Sequence, residues 1–513
     1  MTTRKGRQAR NRLLANRIIL ALLVLVVVAA LYGLVKIIKP VALTSAASGG
    51  SAGRLTVTAA LLGCPAPGSA GSTGGGIAIA NVPAAVGTGK FTITRLNPAS
   101  AGTAIGTVPR PGQLTVEQVK SAPRVPKKLA VTAKMAGGQV PTGTARGGLI
   151  VSATGANAQG LDVEQLGPGG QPTARCQPAG SDFWFVGPGE SKLHDYLYLM
   201  NTDSQQADAA VSVQTDSGPL LGAQDSGIVV PPHSMIVQSL DKLVHAAKAV
   251  ALHVTTSTGR VVAAVRATTS TSKEGMWLPR AAPPSTKQVL TGLPATPGQR
   301  QLFITVPGNT AAQVKVTAIS QKGSYQPTGG SVPPILPHQT TGVTIPSLTG
   351  AIGSIVITSN VPVTGSLEVS GGPTGAPGAF IIGGDPIVGQ AVVAASTAGR
   401  VGTTELVLSA PGSAASVSIG KAIPGVALTG LNGQIVHIPA KSAVQVRLTM
   451  HKGAGKAALI AIVVTPLSGS GPVYAGRVSS IRGSVQTVQS VVSSPARIDL
   501  GQVQESLLAV LGS

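Results

Sequence analysis

The stretch that decides the fold runs from Tyr196 to Arg266 and opens Tyr196-Leu197-Tyr198-Leu199-Met200-Asn201-Thr202-Asp203-Ser204. Alternating apolar residues lead into an Asn-led turn. Alternation resumes at Ala209-Ala210-Val211-Ser212-Val213, and a proline step follows at Val230-Pro231-Pro232-His233-Ser234. Leu252-His253-Val254 and Val261 to Val265 then read as a closing strand pair, joined through Ser257-Thr258-Gly259. Period-two alternation between turn residues is the signature of strands with one buried face.

The pattern recurs twice. A second copy carries Phe303-Ile304-Thr305-Val306, Val314-Lys315-Val316, the step Leu336-Pro337-His338 and Ile355-Val356-Ile357. The third carries Leu406-Val407-Leu408, Val417-Ser418-Ile419, the step Ile438-Pro439-Ala440 and Leu459 to Ile462. Val213 to Val316 is 103 residues, and Val316 to Ile419 is again 103. A fixed period of that length filled with short strands predicts tandem immunoglobulin-like β-sandwich modules.

Working outward, the sequence divides into a basic cytoplasmic segment (1–17), a transmembrane anchor (18–38), a flexible stalk (39–54) and an N-terminal β domain (55–180). Three sandwich modules follow at 181–295, 296–400 and 401–513, the last including a C-terminal extension. The expected fold is therefore mainly β behind one N-terminal transmembrane helix. Ile18 to Val35 is uncharged, and the six Arg and Lys before it are unopposed by any Asp or Glu. Length and flanking charge read as a single plasma-membrane span with a cytoplasmic N-terminus and the bulk of the chain outside. In the competing reading, a cleaved signal peptide, Ser45-Ala46-Ala47 is the processing site.

In the N-terminal domain, Leu55 to Val57, Ile77 to Ile79, Phe91 to Ile93 and Leu149 to Val151 read as strands. A long basic, proline-marked connection runs between Leu96 and Thr144. Cys64 and Cys176, the only cysteines, bracket this domain, and in an oxidising compartment such a pair forms one disulfide. Residues 277–294 and 371–402 read as extended linkers, the first carrying a strand at Val289-Leu290.

The net charge of +22 includes eight basic residues within 1–39, which leaves 31 basic against 17 acidic, or +14, for the remainder. That surface attracts anionic polymers or lipid headgroups. Nucleic acid is excluded as a partner, because no basic run is interleaved with stacking aromatics.

The window Phe183-Trp184-Phe185 with Tyr196 and Tyr198 holds five of the twelve aromatics in the chain. Alternation puts Phe183 and Phe185 on one face and Trp184 on the other, so one set faces something beyond the core of its own sheet. Two readings stand: a packed junction with the N-terminal domain, or a ligand-facing aromatic platform.

Cys176, the Phe183-Trp184-Phe185-Val186-Gly187 run, the Leu-rich strand with its Asn-led turn and the Val-Pro-Pro step resemble the actinobacterial proteins grouped as domain of unknown function 5719. The resemblance implies a basic N-terminus, one membrane span and a long extracytoplasmic region. This sequence departs from the family at Asn201-Thr202-Asp203-Ser204, where the family tends to carry Asn-Pro-Gly, which implies a less rigid loop.

No metal, cofactor or catalytic set emerges. The seven histidines do not converge at ligand spacing, and Gly49-Gly50-Ser51-Ala52-Gly53 matches a hydrolase elbow in letters only, since it lacks a strand before it and a helix after it. Six of the ten aspartates fall between Asp195 and Asp241, where they read as strand ends, with calcium as the sharper alternative. The sequence thus points to a non-enzymatic, membrane-anchored envelope scaffold or spacer that binds a protein or an anionic polymer. The alternative is an accessory subunit or enzyme of envelope polysaccharide assembly holding a glycan. Protease added outside intact cells is expected to remove the ectodomain while a tag before Arg4 stays protected. Recovery of soluble protein beginning near Ala47 would show a cleaved signal instead.

Overall fold

The computed structural model describes most of residues 54–499. Residues 1–53 and 500–513, the stretches 66–75, 82–87, 97–114, 120–129, 133–147, 370–378, 397–401, 423–432 and 449–458, and a few shorter gaps lie outside the described residues. Among the described residues there are strands and short 3-10 turns but no α-helix, so the protein is mainly β. None of their helices is long and apolar enough to cross a membrane, and the expected anchor at 18–38 lies outside them.

The third strand of the first repeat shows why these segments become sheet. In Ala207–Thr215, Ala207, Ala209, Val211 and Val213 are buried while Asp208, Ala210 and Ser212 are half-exposed. Its neighbours on the sheet are Ala249–Thr258, with Val213 opposite Leu252, and Asp225–Val230. Asp182–Pro188 pairs with the far side of Ala249–Thr258. The facing sheet is built on Leu193–Met200, which pairs with Met235–Ser239 and Val262–Thr269, and the latter pairs with Met276–Leu278. Phe183, Phe185, Leu197, Leu199, Val211 and Leu252 share one core, so the two sheets form a sandwich.

By order along the chain, the first strand pairs with the sixth, the sixth with the third and the third with the fourth. On the opposite sheet the second pairs with the fifth and seventh, and the seventh with the eighth. The next repeat follows the same scheme from Ser285–Leu293 to Ala379–Ile382, with the sixth and seventh strands fused into the 17-residue Gly353–Val369. The last runs from Ala391–Ser396 to Ser484–Val491.

The same scheme appears a fourth time, in the N-terminal domain. Ala59–Cys64 pairs with Gly148–Gly155, which pairs with Gly89–Leu96 and through it with Thr115–Val119. Gly76–Asn81 pairs with Ala130–Thr132 and Asp162–Leu166, and the latter with Pro172–Arg175. The connection expected between Leu96 and Thr144 therefore contributes two strands, Thr115–Val119 and Ala130–Thr132, to a regular sandwich in this domain. Its copy escapes the 103-residue period because Phe91 meets Ala153 after 62 residues, whereas Val213 meets Leu252 after 39.

Strand pairing also moves two expected boundaries. Ser285–Leu293, expected in the linker at the end of the first module, pairs with Gly353–Val369 and so belongs to the second sandwich. Ala391–Ser396, expected before the boundary at 400, pairs with Leu459–Pro466 of the last.

The proline steps are one recurring turn. His233, His338 and Lys441, each just before the fifth strand, hold the left-handed conformation at φ 48°, 55° and 55°. For a residue with a Cβ this costs about 1 kcal/mol, so the surrounding bonds must hold it. In the first repeat Asn201 supplies them. It is fully buried, its Nδ2 donates to Gln205 O at 2.7 Å and Val230 O at 2.9 Å, and its Oδ1 accepts from Asp203 N at 2.9 Å. The turn expected to be less rigid without Pro-Gly is thus tied by its own asparagine. Arg260 also donates to both Asp203 oxygens, at 2.8 and 3.0 Å, and the bonds from Arg260 hold that carboxyl below its ordinary range.

Leu55–Ile498 forms one unit in which the sandwiches meet in a closed circuit. The N-terminal domain meets the first repeat through Leu96, Ile150, Tyr198, Met200 and Val262. The first meets the second through Trp184, Val186, Ala281 and Phe303. The second meets the third through Leu290, Val407, Val478 and Val488. There Gly476 and Gly292 permit backbone contact, since a Cβ on Gly476 would fall 2.3 Å from Thr291 O and one on Gly292 2.6 Å from Val488 Cγ1. The third returns to the N-terminal domain, where Arg477 reaches Glu164, 313 residues away.

Asn201→Ala is expected to lower stability by about 2–3 kcal/mol, because it strips buried backbone groups of their partners. Asp203→Ala, which removes a largely exposed ion pair, should cost less than about 1 kcal/mol. Thermal melting of the two variants side by side checks the ordering.

Candidate functional site

The sequence-predicted site residues fall at three places. Cys64 ends the first strand of the N-terminal domain, Cys176 follows its last, and the two are joined in a disulfide across its two sheets. Both are buried in that core, beside Phe91 and Val151.

The aromatic window is divided among three neighbourhoods. Phe183 and Phe185 point into the first repeat's own core. Trp184, only 5% exposed, points the other way, as alternation requires. It packs against Phe303 of the second repeat and Ala281 of the connection before it, not against the N-terminal domain as one reading of the sequence expected. Its ring stacks on His253, with centroids 3.9 Å apart and planes 9° off parallel. His253 is its cross-strand partner, and its Nε2 lies 3.3 Å from Asp182 Oδ1. The joint with the N-terminal domain is served instead by Tyr196 and Tyr198. Tyr198 lies 5.3 Å from the Trp277 ring, over which the Arg266 guanidinium sits at 5.7 Å. Four of these five aromatics are thus buried, and Tyr196 is half-buried against the joint.

Two of the aspartates expected at strand ends are engaged locally, while Asp241 lies outside the described residues. Asp208 Oδ2 accepts from Thr258 Oγ1 at 2.7 Å, and Asp216 Oδ1 accepts from Lys248 N at 2.9 Å. Among the described residues no His, Cys, Asp and Glu converge in a group able to hold a metal ion.

One polar constellation was not legible in the sequence. Register puts Ala80 beside Asp162, and Ala78 beside Glu164, which in turn neighbours Arg175, so all five share one face of the N-terminal domain. Arg175 Nε donates to Asp162 Oδ1 at 2.6 Å. From the last sandwich, Arg477 Nη2 donates to Glu164 Oε2 at 2.8 Å, and Nη1 donates to Ala394 O at 3.0 Å. Arg477 also donates to Gln489 Oε1. The Arg477 and Glu164 side chains are 0% and 3% exposed. Burial pushes the Glu164 carboxyl up to about 7; Arg477 pulls against that shift, while the nearby Asp162 carboxylate adds to it. A small cleft lined by these residues opens between the two sandwiches. No sequence reading singled out Arg477, and nothing near it in sequence signalled a carboxylate.

A sequence profile described as a family of unknown function, DUF5719, matches residues 129–449. The chain belongs to this family. The match runs from the later strands of the N-terminal domain into the fifth strand of the last sandwich. It takes in Asp162, Glu164, Arg175 and the aromatic window of this DUF5719 member, while Arg477 and Gln489 lie beyond it. No curated protein matches the chain.

Trp184→Ala in this DUF5719 protein is expected to cost about 3–5 kcal/mol and to render the connection at 279–284 protease-sensitive, because the ring fills a joint. Unchanged melting accompanied by loss of a bound partner would make Trp184 a binding residue instead.

Proposed function

We propose that the protein is a non-enzymatic, membrane-anchored envelope scaffold whose four sandwiches present outer strand faces to an anionic polymer or protein. The sandwiches are immunoglobulin-like in their central strands. The second pairs with the fifth and the third with the sixth, as B–E and C–F do in that fold, while the first and last strands exchange sheets. The closed circuit supports a compact scaffold over an extended spacer. Burial of the aromatic window weighs against a glycan platform there, the feature on which the polysaccharide-assembly alternative depended.

The observation that carries the reading is a basic strand face on the second repeat. Lys287 and Lys315 are both in register with Thr358, on either side of it, so the two ammonium groups flank one exposed threonine on the same sheet face. Neither lysine joins an ion pair among the described residues. Strands lie about 4.8 Å apart, so the lysine backbones are roughly 10 Å apart, a spacing suited to successive charges on a polyanion. With the excess of +14 over the chain beyond residue 39, this is an attractive surface without a catalytic group.

The test is binding of a polyphosphate or polyuronate to the full-length protein in nanodiscs. Binding is expected to weaken with salt and to fall at least about 10-fold in the Lys287→Glu, Lys315→Glu double variant. Binding indifferent to both would sink the reading, and a shortened or modified polymer would establish an enzyme.

A further inference from the structure

The joints of the circuit are not alike. Three are filled by large apolar side chains, among them Met200 and Tyr198, then Trp184 and Phe303, then Leu290 and Val488. At the joint between the N-terminal domain and the last sandwich, the facing strands carry small side chains. Ala78, Ala80 and Ala394 are buried there beside Val392, and alanine leaves little apolar area to bury. What spans the joint is polar. Besides Arg477 on Glu164, Ala394 N donates to Asp162 Oδ2 at 2.8 Å, and Arg175 Nη2 donates to Ser494 Oγ at 3.3 Å. Backbone bonds join it too, Val57 N to Ala496 O at 3.0 Å and Gly160 N to Pro495 O at 3.4 Å, beside a short two-stranded ladder of Arg54–Thr56 with Arg497–Asp499.

We propose that this joint is a polar latch, at which the circuit opens and closes while the three apolar joints stay shut. A buried ion pair is a poor adhesive, because desolvation offsets most of its attraction, yet it is demanding of geometry. Water is a good substitute for every polar contact across this joint. For the apolar joints it is a poor one. Opening uncovers the strand faces around Val392 and Val491, which line the cleft.

The latch responds to pH through Glu164. The ionisable groups around it are Asp162 on its own strand, Arg175 on the neighbouring strand and Arg477 from the last sandwich. Closed, its carboxyl stands at about 7 because of burial; open, it returns toward the ordinary 4.5. The closed form therefore holds the proton more tightly between those values. Closure is favoured on the acid side and loses that contribution as pH rises through 7. At about ten-fold per pH unit inside the window, the ratio of open to closed molecules rises on the order of 100-fold.

Distance measurements between paired spin labels test this on the full-length protein in nanodiscs. Lys90→Cys with Val388→Cys spans the latch, and Val229→Cys with Leu336→Cys spans an apolar joint. All four positions are exposed, and the native cysteines are bonded to each other. Between pH 5 and pH 8.5 the latch pair is expected to gain a longer, broader population while the reference pair keeps one distance. Glu164→Gln should abolish that response, and Arg477→Met should leave the latch open at both pH values. An unchanged latch distance in the native chain, or a response that persists in Glu164→Gln, overturns the proposal. Should Arg477→Met also broaden the reference pair, and so prove misfolded, the native chain and Glu164→Gln still decide.

Discussion

Four times along the chain a third strand finds a sixth, and the rest of the fold follows from that backbone pairing. Phe91 opposite Ala153, Val213 opposite Leu252, Val316 opposite Ile357 and Ile419 opposite Val464 are the same contact in four sandwiches. One face of each of these strands is buried in a core, so their peptide groups must bond to one another. Once they do, the first and fourth strands have only the flanks of that sheet to occupy. The second, fifth and seventh strands must then form the opposing layer.

Each sandwich has a second apolar obligation beyond its own core. Alternation places Trp184, Val186, Ala249 and Ala251 on the face away from Phe183 and Phe185, and a neighbouring sandwich covers them. The aromatic residues that invited a ligand reading are thus used to lock one sandwich against the next. An exposed pair such as Lys287 and Lys315 remains available because none of the described residues covers that end of the sheet. The same division separates structural residues from residues free to meet a partner.

Burial without bulk distinguishes the joint that closes the circuit. Alanines along facing strands bring two backbones close but contribute little transfer free energy, so specificity there rests on Arg477, Glu164, Asp162 and Arg175. Glu164 is therefore the group most sensitive to its surroundings, with a carboxyl moved into the neutral range by burial and restrained by an arginine.

The strand-rich class, the repeat, the cysteine pair and the opposite facing of Trp184 and Phe185 follow from residue order alone, because all of these rest on period-two alternation, residue type and local spacing. The repeat was visible where Val213, Val316 and Ile419 each sit at one buried position of a third strand, 103 residues apart. Its N-terminal copy was hidden by a longer path between the third and sixth strands. Ser285–Leu293 looked like a linker because its partner, Gly353–Val369, lies about sixty residues on. Which neighbour receives Trp184, that Asn201 anchors its own turn, and that Arg477 meets Glu164 were fixed by the folded chain. Those depend on how finished sandwiches dock, and docking brings together side chains up to 313 residues apart, a distance at which local pattern carries no information.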